Sequence, residues 1–209
     1  AEKKIFLSHS KKREIKRNEF LFVEGDTGDS VYYLHSGEVR ISHVTPCGKE
    51  SIVFIRRAGE MFGLAEAIGG SKRACSARAI TACRLYELKR GEFEKLLAQH
   101  WALSRRVMEI LGSRLRYLGE QMENLMFCDV TTRLLKLLIS LSCYKQTDHE
   151  VWNASDAIPV RLTQEQIASM IGSCQQTVSE ILKQFEKEGL IRISRNRREI
   201  TILKPASLA

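Results

Sequence analysis

The stretch Thr163-Gln164-Glu165-Gln166-Ile167-Ala168-Ser169-Met170-Ile171-Gly172-Ser173-Cys174-Gln175-Gln176-Thr177-Val178-Ser179-Glu180-Ile181-Leu182-Lys183-Gln184-Phe185-Glu186-Lys187-Glu188-Gly189 decides how the C-terminal part of this chain folds. Thr163 and Gln166 stand three apart, the spacing at which a hydroxyl and an amide satisfy each other's orphan N–H groups and open a helix. Ile167, Met170 and Ile171 give that helix an apolar face, and Ala168 is small enough for a second helix to cross it closely. Gly172 ends it, because the left-handed turn that closes a helix costs glycine little. Ser173 and Gln176 repeat the capping-box spacing, and Val178, Ile181, Leu182 and Phe185 recur at helical spacing up to Gly189. Two short helices joined by a tight turn make a helix-turn-helix.

Gln175, Gln176, Ser179 and Glu180 lie off the apolar face at the start of the second helix. In a major groove, glutamine pairs bidentately with adenine and glutamate accepts from cytosine. Lys183 is placed for a phosphate further along. Leu190–Leu203 reads as strand, turn, strand, with Arg195-Asn196-Arg197-Arg198 at the tip, so Arg195 and Arg197 form a basic wing for the DNA backbone. The same shape also occurs in bundles that bind no DNA. Residues 129–209 hold 11 Lys+Arg against 9 Asp+Glu, a net of +2, so a second half-site supplied by a dimer is expected to support the affinity.

Upstream, Thr131–Cys143 reads as an apolar helix followed by a polar loop and an extended Ile158-Pro159-Val160. Residues 99–128 read as one long helix. Its ladder Ser104, Met108, Leu111, Leu115, Leu118, Met122, Leu125, Asp129 alternates steps of four and three, with six consecutive apolar members. That seam is the geometry of two parallel helices, so Met108, Leu111, Leu115, Leu118, Met122 and Leu125 are candidate dimer residues. Packing on the chain's own β domain is the alternative. Arg105, Arg114 and Glu120, on other faces, are expected to be solvated.

Residues 1–98 begin with a basic lead and continue as short β-rich runs, Phe20–Val23, Val31–Leu34, Glu38–Val44, Glu50–Phe54 and Arg84–Leu88, separated by glycine turns. Such spacing predicts a barrel or double-sheet jelly roll. Arg90–Leu97 reads as a short helix leading into the long one. The division expected is 1–98 for the roll, 99–128 for the dimer helix and 129–209 for the winged helix, an α+β chain.

The chain has 209 residues, 44% hydrophobic and 28% charged, which excludes a collagen-like or largely disordered protein. Its 33 Lys+Arg and 25 Asp+Glu leave +8, a balance that fits an anionic partner. No apolar stretch is long enough to span a bilayer, so no membrane partner is expected. The polar, basic start lacks the apolar core of a secretory signal, and the cytoplasm is the expected compartment. Cys47, Cys75, Cys83, Cys128, Cys143 and Cys174 form no CxxC pair. They are expected to be reduced and mostly buried as small apolar residues, with a thiol switch as the alternative. No P-loop, GxSxG or HExxH occurs, and the histidines cluster with no nucleophile, so the chain reads as a non-enzyme.

These features together resemble the CRP/FNR family of bacterial transcription regulators. The resemblance rests on Phe22-Val23-Glu24-Gly25-Asp26-Thr27-Gly28-Asp29-Ser30-Val31-Tyr32-Tyr33-Leu34, Ser36-Gly37-Glu38-Val39-Arg40-Ile41, Gly59-Glu60-Met61-Phe62-Gly63, Lys72-Arg73-Ala74-Cys75-Ser76-Ala77-Arg78-Ala79, Phe127-Cys128-Asp129-Val130-Thr131-Thr132-Arg133-Leu134 and the helix-turn-helix. It implies an effector-sensing β-roll, a dimerising helix and a winged helix, acting as a homodimer on a near-palindromic site of double-stranded DNA, with RNA polymerase as a partner. It implies base reading by Gln175, Gln176 and Glu180, and backbone contacts from Thr163, Cys174 and Thr177. Gln175 and Glu180 replace the arginines of cyclic-AMP-responsive members, so the half-site is expected to depend less on guanine.

The family's nucleotide pocket sets an Arg and a small neighbour on the cyclic phosphate and a Glu after the Gly on the ribose. Arg73 and Ala74 stand at the phosphate positions and Gly63 is present, but Leu64 replaces the Glu, and Glu66 is expected to point elsewhere. Leu118 and Gly119 stand where the purine would lie, and neither carries a hydroxyl. Gly63, Glu66, Arg73, Ala74 and Leu118 are thus the candidate effector residues of a pocket expected to hold cyclic AMP poorly. No cysteine precedes Cys47, so no iron–sulfur cluster is expected. Gly63 and Ala65 occupy the ligand places of the carbon-monoxide-sensing variant, which leaves haem only through His35, His43 or a methionine. A small organic ligand or thiol oxidation also stays open. So do two rival functions: a cyclic-nucleotide-dependent regulator and a nucleotide-binding module acting on a protein partner.

Overall fold

In the computed structural model, residues 2–44, 48, 50–142, 162–194 and 199–203 are described. Cys47, Cys143, the loop after it, Pro159 and the wing-tip Arg195 and Arg197 lie outside them. The elements run α1 (Glu2–Ser8), β1 (Lys11–Ile15), β2 (Phe20–Phe22), β3 (Ser30–Ser36), β4 (Glu38–Val44), β5 (Glu50–Arg57), β6 (Met61–Phe62), α2 (Leu64–Gly69), β7 (Ser76–Ala79), β8 (Cys83–Lys89), α3 (Arg90–Gln99) and α4 (Trp101–Phe127). They continue as α5 (Val130–Ser142), α6 (Gln164–Ile171), α7 (Gln175–Lys187), β9 (Ile191–Ser194) and β10 (Glu199–Ile202). Two compact units divide inside α4, at residues 1–116 and 117–209.

The first unit holds two four-stranded antiparallel sheets, ordered β1-β8-β3-β6 and β2-β7-β4-β5. Their facing sides enclose Ile15, Leu21, Tyr32, Leu34, Val39, Phe62, Ala77, Ala79, Cys83 and Leu85. The other side of the first sheet packs Val31, Tyr33 and Leu88 under Phe6, Leu64, Ala67, Phe93, Leu96, Leu103 and Val107 from the four helices of this unit. Strand β3 is therefore buried on both faces, which accounts for its nearly continuous apolar run.

Five elements, α1, β1, β6, α2 and β7, go beyond the sequence-based expectation. The basic lead folds as α1 and β1, because Phe6 meets Phe93 edge-on at 6.4 Å and Ile15 enters the inter-sheet core. Helix α2 occupies the span between Gly63 and Gly70, and β7 forms because Ala77 and Ala79 enter the inter-sheet core. Arg114 is half-buried rather than solvated, with its guanidinium donating to the Met61 carbonyl.

In the second unit, α5 packs on α6, α6 on α7, and α7 on β9. Leu134, Leu138, Ile167, Ala168, Val178, Leu182, Phe185 and Ile191 are buried there. β9 and β10 pair antiparallel, Ile191 opposite Ile202, to form the wing.

Candidate functional site

The helix-turn-helix begins with the expected capping box: Thr163 Oγ1 accepts from the Gln166 N–H at 3.1 Å, and Gln166 Oε1 accepts from the Thr163 N–H at 2.9 Å. Gly172 takes the left-handed conformation, φ 62°, that closes α6. The second box does not form. The Ser173 N–H is spent closing α6 on the Ala168 carbonyl, so α7 starts one residue later, with Cys174 as its N-cap. Val178, Ile181, Leu182 and Phe185 are buried, which turns Gln175, Gln176, Glu180 and Lys183 to solvent on the opposite side. Ser179 and Thr177 are half-buried beside them.

The expectation of mostly buried thiols is corrected among the described cysteines, and Cys174 departs from it furthest. It is exposed, its Sγ lies 3.1 Å from Thr177 Oγ1, and the Thr177 hydroxyl with the first N–H groups of α7 holds the thiol below the usual cysteine range. Among the described cysteines, Cys83 is buried, and Cys75 and Cys128 are half-buried. Burial pushes the Cys75 and Cys83 thiols up.

Along α4, Met108, Leu115, Leu118, Met122 and Leu125 are exposed in the single chain, as are Met126 and Phe127 at its end. Leu111 differs: it is half-buried against the core of the roll, so part of the stripe does pack within the chain.

In the roll, the Gly25 N–H donates to the Arg73 carbonyl at 2.9 Å, and the Arg73 N–H donates to the Asp26 carbonyl at 2.8 Å, fixing that backbone. The Arg73 side chain then turns inward. Nη2 donates to the Ser30 carbonyl at 2.5 Å, and Nη1 donates to the Gly63 carbonyl at 3.2 Å and to Glu66 Oε2 at 3.3 Å. Cζ lies 4.2 Å from the centroid of Phe22, which stacks on Tyr32, which stacks on Phe62. Glu66 thus faces Arg73, contrary to expectation, because the first turn of α2 carries it there. Gly63 suits the place: its φ is 73°, and a Cβ would come within 2.8 Å of Arg73 Nη1. Leu64 is buried in the core, Ala74 is exposed, and Leu118 sits on α4 in the other unit. Burial and the Glu87 charge push the Tyr32 hydroxyl up. His35 and His43 lie on strands of different sheets. Among the described residues, no group of three or more His, Cys, Asp or Glu could hold a metal, and no helix is long and apolar enough to cross a membrane.

Residues 12–100 match the family model of the cyclic nucleotide-binding domain, and residues 132–209 that of the Crp-like helix-turn-helix domain. A CRP-like cAMP-activated global transcriptional regulator of Mycobacterium tuberculosis is 30% identical over 180 residues, 86% of this chain and 79% of that relative. The chain belongs to the CRP/FNR family of transcription regulators. Within this family, the cAMP-activated global transcriptional regulator CRP of Salmonella typhimurium is 29% identical over 187 residues, 89% of this chain and 87% of that one. FixK2 from Bradyrhizobium japonicum shares the fold, with a TM-score of 0.80 at 20% identity over 95% of each chain. As a CRP/FNR-type regulator, the chain joins a nucleotide-binding-type β-roll to a DNA-binding-type helix-turn-helix.

Proposed function

We propose that this chain is an effector-responsive regulator that binds a near-palindromic DNA site as a homodimer, with Gln175, Gln176 and Glu180 reading bases. The observation that carries the reading is the two-faced α7, whose buried face fixes the helix while its start presents these polar side chains to solvent. Thr163, Cys174, Thr177, Lys183 and the wing arginines then contact phosphates. The exposed seam of α4 supports the homodimer, and RNA polymerase is the partner of the assembled complex.

The effector is not a cyclic nucleotide on this reading, although the relatives above are named for cAMP. Leu64 is buried apolar where a ribose acceptor is needed, and Arg73 is committed to the interior. That leaves a small organic ligand, a gas-binding haem or a redox signal as the effector. Selection of random DNA by the purified protein tests the DNA reading. Two inverted half-sites about one helical turn apart are expected; a single half-site, or no enriched sequence, overturns it. A native mass spectrum of protein purified without oxygen gives the effector by its added mass, and a cyclic nucleotide retained there overturns the effector reading.

A further inference from the structure

We propose that Glu66 is a built-in counter-anion that fills the anion place on Arg73, pins α2 over the guanidinium and closes this β-roll to cyclic nucleotides. The inference deepens the reading of the roll as the effector domain and rests on it. The Arg73 side chain is 1% exposed, so its charge must be met inside the protein. Among the described residues, Glu66 is the carboxylate that meets it, while Ser30 and Gly63 offer neutral carbonyls and Phe22 covers one face. A phosphate brought to the same guanidinium would lie against the Glu66 carboxylate, and two anions on one buried cation repel.

The pairing also shows which partner yields. Arg73 is tied through its own backbone to Gly25 and Asp26. Glu66 rides on a six-residue helix bounded by Gly63 and Gly70, both left-handed. Its 3.3 Å contact is longer than the 2.7–2.9 Å (about) of a strong charge-assisted bond. Glu66 meets the guanidinium through Nη1, while Nη2 is taken by the Ser30 carbonyl and Nε is buried with no partner among the described residues, so the carboxylate does not grip it bidentately. Drawing the carboxylate back therefore exposes an anion site that the intact chain fills for itself.

The test uses the full-length protein and Glu66→Asp, which retracts the carboxylate by one methylene and keeps the net charge. Glu66→Gln is the second variant, and Glu66→Asp with Arg73→Gln is the control. Thermal unfolding is followed with about 1 mM cyclic AMP, and with inorganic phosphate against chloride at matched ionic strength. The wild-type midpoint is expected to stay put with both. The single variants gain about 5 °C from at least one of them, and the control gains nothing. A wild-type midpoint that rises with cyclic AMP, single variants that respond to neither, or a gain that survives loss of Arg73 overturns the proposal. None of these readouts involves DNA, so failure to select an operator leaves the test intact.

Discussion

Replacing Leu115 by glutamate tests the α4 seam where it is most open. Leu115 is 72% exposed in the single chain, yet it lies in mid-ladder between Leu111 and Leu118. Full burial of a leucine contributes about 1.5–3 kcal/mol, so covering its remaining surface contributes about 1–2 kcal/mol per protomer. A two-fold seam loses this twice, about 2–4 kcal/mol, or roughly 30- to 1000-fold in the dimer dissociation constant. Two glutamates meeting across the axis add desolvation and repulsion, which puts the loss at the upper end or beyond. The protomer is spared, because Leu115 lies outside both cores of the roll and glutamate is nearly as good a helix former as leucine. Sedimentation equilibrium across protein concentrations, with helicity followed alongside, reads both effects. A variant of normal helicity that dimerises with the wild-type constant refutes the seam and returns the stripe to packing within its own chain. Leu111→Ala provides the contrast, since that residue already packs on the roll and its loss lowers the melting point of the protomer.

Gln176→Ala is expected to weaken binding to the selected site by about 1–3 kcal/mol and leave non-specific DNA binding nearly unchanged, as read by competition titration; equal losses on both DNAs would remove Gln176 from base reading. Cys174 is expected to react with iodoacetamide at neutral pH before Cys75 and Cys83, because its thiol is held low while theirs are pushed up by burial. Peptide mass mapping gives the order, and DNA binding should fall in step with the Cys174 adduct. Asp129 Oδ1 accepts from the Thr132 N–H at 2.7 Å, which holds its carboxyl below the usual range at the start of α5. Its contribution is therefore complete above the unfolded value of about 3.9 and is lost as pH falls through the lower folded value. Acid titration of helicity should show that limb shrink in Asp129→Asn, and an unchanged limb would refute the cap.

The elements legible in the sequence are those whose signals are local. The bounds of β4 and the start of α6 coincide with the expected ones, because alternation and a capping box are complete within a few residues. Helix α1 was hidden by its lysines, since a single deeply buried residue, Phe6, anchors it and its partner Phe93 is far along the chain. Helix α2 was hidden because Gly69-Gly70 reads as a turn and six residues carry no full period. The seam was legible as a stripe, but the inward packing of Leu111 depends on a sheet that only the tertiary fold supplies. Arg73 was legible by position, not by orientation: its direction is set by the carbonyl of Ser30, 43 residues away, and by the Phe22 ring. At α7 the error was one residue, because the Ser173 N–H had two uses and closing α6 took it.

On the proposed reading, regulation belongs in the seam rather than in the charge of α7. Residues 129–209 carry a net of only +2, and the salt-dependent part of DNA affinity grows with the number of phosphates that cations neutralise. One such domain alone therefore binds weakly. Joining two through α4 makes the second half-site contact intramolecular, and that step multiplies affinity without a new contact to DNA. Anything that alters how two α4 helices pair then alters occupancy of the whole site while leaving Gln175, Gln176 and Glu180 untouched. Leu64 and Ala67 of α2 share their core with Leu103 and Val107 of α4, so the helix carrying Glu66 packs in the same cluster as the start of the seam helix. A signal that moves α2 therefore has one shared core through which to reach α4, and the coupling is reciprocal: DNA that fixes the seam must also favour one position of α2.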